Sequence, residues 1–86
     1  MNLPEIWKPT SNQNHLKVCV STHHYEIAHR RAPRGKGTWA FCPESKYKLL
    51  NYIDFTIFLN GTYAEAKAKA CEMARAAGIR SIVVGS

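Results

Sequence analysis

Eighty-six residues are enough for one domain and too few for two. Twelve Lys and Arg against six Asp and Glu give a formal charge of +6, which favours anionic partners such as nucleic acid, nucleotides or an acidic protein face. With 45% hydrophobic residues the composition is that of a globular chain rather than a disordered one, and no apolar stretch approaches the roughly 18 residues that cross a bilayer.

The chain begins with an irregular arm, residues 1–14, containing two prolines and the polar run Thr10-Ser11-Asn12-Gln13-Asn14. Leu3, Ile6 and Trp7 can pin it to the body or to a partner. No basic n-region or apolar h-region marks a signal peptide, so a cytoplasmic location is expected. Residues 15–86 form the expected single domain.

His15 to Thr22 alternates, with Leu16, Val18 and Val20 on one face, and reads as a strand. Tyr25 to Arg31 alternates again, with Tyr25, Ile27 and His29 on one face. It reads as a continuation past a bulge or a second strand. Ala32-Pro33-Arg34-Gly35-Lys36-Gly37 has turn composition, and Thr38 to Cys42 is a short strand carrying Trp39 and Phe41. Tyr25 to Cys42 therefore reads as a hairpin with a basic tip. Pro43 to Asn51 is a loop or a single helical turn led by Pro43-Glu44-Ser45. Tyr52 to Leu59 alternates and reads as a strand ending at Asn60-Gly61.

The next element has the clearest signature. Thr62 and Glu65 form a capping box, and a helix is expected from Tyr63 to about Ala77 with Gly78 as its stop. Its buried stripe is Tyr63, Ala66, Ala70, Met73, Ala74 and Ala77, while Glu65, Lys69 and Glu72 face away. Glu65 and Lys69 have the spacing of a helical ion pair. Ser81 to Val84 is a final strand. The expected fold class is α+β, an antiparallel sheet of three to four strands with one helix on one face, in the order β-β-β-α-β.

The chemistry concentrates at the basic hairpin. His29, Arg30, Arg31, Arg34 and Lys36 lie close together in sequence, with Lys46 and Lys48 soon after. Arg side chains offer forked donors to phosphate or carboxylate, and the two glycines leave backbone N–H groups free to approach an anion. These seven residues are the expected partner- or anion-binding set. Trp7, Tyr25 and Trp39 are the aromatic candidates for contacts, although so small a core needs Trp39 and Phe41 inside.

His15, Cys19 and His23 would share one side of a strand, but their spacing matches no zinc pattern, and no metal or other cofactor is expected. Three cysteines without a Cys-x-x-Cys pair fit reduced thiols. No phosphate-binding loop, carboxylate pair or ordered Cys–His arrangement marks an enzyme, so a non-catalytic binding protein is expected.

Two resemblances add to this reading. Gly37-Thr38-Trp39-Ala40-Phe41, a following strand, and Gly61-Thr62-Tyr63-Ala64-Glu65-Ala66-Lys67 resemble the three-strand-plus-helix DNA-binding domains at the N-termini of phage integrases, which implies contact with DNA. The size and layout are similar to those of small phage accessory proteins, the anti-CRISPR proteins and inhibitors of host polymerase. That likeness implies binding and inhibition of a larger complex that handles nucleic acid, within the host bacterial cytoplasm. Direct binding of DNA or RNA and capture of a phosphorylated small molecule are the alternatives.

Overall fold

The helix with the strongest sequence signal organises the fold. In the computed structural model, which describes residues 4–9 and 17–85, helix α3 spans Tyr63–Ala77. Thr62 Oγ1 accepts from the Glu65 N–H at 3.2 Å, and Glu65 Oε1 accepts from the Thr62 N–H at 3.1 Å. Gly78, at φ 76°, closes the other end in the left-handed conformation that glycine adopts without penalty. The Glu65 carboxylate thus turns back to its own cap and makes no ion pair with Lys69 among the described residues.

Four strands form the sheet: β1 (Cys19–Ser21), β2 (Lys36–Pro43), β3 (Ile57–Thr62) and β4 (Ser81–Val84), in the order β1-β4-β2-β3. β2 runs antiparallel to both β3 and β4, so β3 and β4 are parallel to each other with β2 between them. Parallel strands need a long crossover, and α3 provides it. β4 then pairs parallel to β1, with the Cys19 N–H donating to the Arg80 carbonyl at 2.9 Å.

The α+β class holds, but the sheet is mixed rather than wholly antiparallel, and three helices accompany it rather than one. Tyr25 to Arg31 is not a strand. Helix α1 covers His23–His29, so the expected hairpin is a helix-to-strand connection. Tyr25 and His29, four residues apart, stack at 4.2 Å, a pairing that a helix permits and a strand does not. Of the two alternatives left open after Pro43, a loop or a single helical turn, the structure has the turn, helix α2 (Glu44–Tyr47). Tyr52–Phe55 is a 3-10 turn, so β3 starts later than the alternation suggested and runs on through Gly61 to Thr62. Gly61 sits at φ 130°, which carries the strand directly into the α3 cap.

The core lies between α3 and one face of the sheet. Ala66, Ala70 and Ala74 are buried against Phe41 of β2, Ile57 of β3, and Ile82 and Val84 of β4. Trp7 is also core. Its 3-10 turn (Glu5–Trp7) is anchored by the indole N–H, which donates to the Phe55 carbonyl at 2.7 Å. Leu3, the polar run 10–14, His15 and Leu16 lie outside the described residues.

Ala70 is fully buried in that stripe. Ala70→Glu would place an unpaired carboxylate there at a cost of roughly 3 kcal/mol or more, a large part of the stability of so small a domain. Urea unfolding should show a lowered midpoint or no cooperative transition, whereas an unchanged midpoint would contradict the packing.

Glu65 supplies a pH dependence. The Thr62 N–H, then the Thr62 hydroxyl, hold its carboxyl below the usual carboxylate range. A depressed folded pKa adds stability that is present above the unfolded value, about 4.3, and is lost as pH falls through the folded value. Glu65→Gln keeps an acceptor for the capping box but cannot titrate. The difference in melting midpoint between wild type and this variant should shrink between pH 6 and pH 3. Parallel pH profiles would contradict the capping geometry.

Candidate functional site: a basic groove beside an apolar patch

The 30–35 connection between α1 and β2 cannot continue either element. Arg30 ends α1 in the left-handed region at φ 55°, its N–H donating to the Glu26 carbonyl, and Gly35 turns at φ 89°. Pro33 lacks an N–H to pair. The result is an exposed connection that carries Arg30, Arg31 and Arg34, with Lys36 opening β2, also exposed.

Four of the seven expected binding residues come together. His29, Arg31, Arg34 and Lys36 line an open groove of about 430 Å³. Its remaining walls are Tyr25, the β2 segment from Gly37 to Ala40, Phe58 and Gly85, so no acidic side chain lines it. Arg30 is exposed and occupied as the α1 cap. Lys46 lies elsewhere, its ammonium 5.3 Å from the centre of the Phe55 ring. Lys48 lines a separate groove of about 700 Å³ with Arg80, where Glu44 offsets the positive charge.

The aromatic candidates Trp7, Tyr25 and Trp39 are all buried. Tyr25, Trp39 and Tyr63 form a row with centroid separations of 5.4 and 5.0 Å, and His29 stacks on the Tyr25 end, at the groove wall. The Trp39 indole N–H is buried without an acceptor among the described residues. Tyr25 and Trp39 thus line the groove while offering little exposed ring surface to a partner.

The exposed apolar surface is made by residues outside the expected set. Phe58 is 48% exposed, Ile53 58% and Leu50 fully exposed, with Leu49 and Tyr52 beside them in sequence and also exposed. Phe58 belongs to the sheet face opposite α3, because its strand neighbour Ile57 points into the core. Tyr47, Tyr52, Ile53 and Phe58 line a cleft of about 90 Å³ over Ala40 and Cys42. Ala40, Phe58 and Gly85 belong to this cleft and to the basic groove alike, so the two features adjoin. The sequence signal was Phe58 itself, out of phase in the run Ile57-Phe58-Leu59.

No group of three His, Cys, Asp or Glu side chains is gathered to hold a metal among the described residues. Cys19 is exposed on β1, His23 opens α1 rather than continuing a strand, and His15 lies outside the description. Burial pushes the Cys42 thiol up, partly offset by a hydrogen bond from Thr56, so the nucleophilic thiolate is scarce near neutral pH. No helix among the described residues is long and apolar enough to cross a membrane.

Iodoacetamide should therefore label exposed Cys19 rapidly at pH 7.5 and leave Cys42 unmodified until the protein unfolds. Mass spectrometry of the peptides checks this, and equal labelling of both in the native state would contradict the burial of Cys42.

Comparison with protein-family models, with curated proteins and with solved structures finds no match for this chain.

Proposed function

We propose that this is a non-catalytic accessory protein that docks on an acidic face of a larger nucleic-acid-handling complex and obstructs it. The observation that carries the reading is the juxtaposition of the basic groove with the apolar patch through shared Phe58. Protein interfaces combine a desolvated apolar centre with a charged rim, and large side chains at the centre supply most of the binding free energy. Tyr52, Ile53 and Phe58 supply such a centre, while Arg31, Arg34 and Lys36 supply a cationic rim. The net charge of +6 favours a partner face that is acidic or normally holds nucleic acid, and it speeds encounter. The resemblance to phage anti-CRISPR proteins and polymerase inhibitors points the same way.

Direct binding of DNA or RNA is the second reading, favoured by Phe58 and Tyr52 as stacking surfaces beside the arginines. The aliphatic share of the patch weighs against it, since Ile53 has no π-face to offer a base.

Affinity capture from a bacterial lysate, with and without nuclease, separates the two when run with Phe58→Ser and with the triple variant Arg31→Ala, Arg34→Ala, Lys36→Ala. All four positions are exposed, so both proteins should keep the wild-type circular dichroism spectrum. The proposed function requires a captured protein that survives nuclease and is lost with either variant. Losing Phe58 should weaken binding by about 2 kcal/mol. Capture that vanishes on nuclease treatment, with a log–log salt slope near about −2.7 for three phosphate contacts, would establish direct nucleic-acid binding instead.

A further inference from the structure

β3 is an outer strand of the sheet, with β2 on one side of it and no described strand on the other. Its flanks are the 3-10 turn before it and α3 after it. Backbone groups on a strand alternate sides, so their directions follow from the bonds already made. The Tyr63 N–H donates to the Gly35 carbonyl at 2.8 Å, and in that register the odd-numbered residues Ile57, Leu59 and Gly61 bond to β2. The Thr62 N–H turns the other way and is taken by Glu65 Oε1, and the Thr56 N–H is taken by the Ile53 carbonyl. Between these two, the N–H and C=O groups of Phe58 and Asn60 point outward with no partner among the described residues. Short length, charges and prolines are what blunt a sheet edge. The opposite edge, β1, has three residues, whereas β3 runs from Ile57 to Thr62 without a charge or a proline.

We propose that β3 pairs with β3 of a second copy of this chain, antiparallel across a two-fold axis, joining the two sheets into one. Only one register uses every free group. With Leu59 opposite Leu59 of the second copy, Phe58 of each copy exchanges both bonds with Asn60 of the other. Phe58 opposite itself would set Asn60 against Thr56, whose N–H is occupied. Asn60 opposite itself would set Phe58 against Thr62, whose N–H is occupied as well. The same surface meets itself, as an isologous dimer requires, and no like charges face each other along the strands. The charge of +6 on each chain opposes association, but physiological salt screens charges more than about 8 Å apart. Phe58 lies on the sheet face opposite α3, so pairing brings the two Phe58 side chains diagonally together, with Cα atoms about 7–8 Å apart, and leaves the apolar patch exposed. The inference goes beyond the docking function and does not depend on it.

Sedimentation velocity from about 5 µM to about 500 µM reads the association, and a dimer should form within that range. Amide exchange followed by NMR reads the surface. The Phe58 and Asn60 amides should exchange about tenfold or more slowly at the upper concentration than at the lower, while the Leu59 amide, bonded to Trp39, should be slow at both. Asn60→Pro removes an outward N–H that β2 does not use, so the variant should keep the wild-type circular dichroism spectrum and dimerise about tenfold or more weakly. A monomer throughout the range would overturn the proposal. So would a dimer whose Phe58 and Asn60 amides exchange equally fast at both concentrations, since another surface would then hold it. A folded Asn60→Pro protein that dimerises as tightly as wild type would overturn it too. Should that variant fail to fold, the concentration dependence of Phe58 and Asn60 exchange in the wild type decides alone.

Discussion

The close approach of α3 to the sheet is the constraint on which the other features depend. Ala66, Ala70 and Ala74 present only methyl groups, so the helix lies directly over Phe41, Ile82 and Val84. Larger residues in that stripe would lift the helix, and the crossover from β3 could no longer deliver β4 into its place beside β2. The volume not filled by alanine is filled at the margins. Trp7 seals one side, bonded to the Phe55 carbonyl, and the Tyr25–Trp39–Tyr63 row seals the region that includes α1. The basic groove depends on that row, because it holds α1 and its C-terminal cations beside β2.

The elements with complete local signals were legible in the sequence. Thr62, Glu65 and Gly78 set both ends of α3, and the 3.6-residue period set its buried stripe. In sequence the segment after Pro43 is open between a loop and a helical turn, because a four-residue turn is too short to show a period. Helix α1 was not legible. With seven residues and Tyr25 alone buried, it is too short to show a period, and the chance alternation of Tyr25, Ile27 and His29 imitates a strand. Tyr52–Phe55 misled in the same way, its shape being set by contacts made far away in sequence, including the Trp7 bond to Phe55. The cations of the groove were legible as a cluster, but its split from Lys46 and Lys48, and the adjoining patch around Phe58, depend on sheet order, which local patterns do not encode.

The account turns on the close approach of α3 to the sheet, and enlarging one methyl group at that contact tests it most directly. Ala74 is fully buried, so Ala74→Leu would insert three further carbon atoms where the helix meets the strands. Overpacking of this kind costs about 1–3 kcal/mol, and the urea midpoint should fall accordingly. An unchanged or raised midpoint would contradict the account, since the helix would then have room that the packing denies it.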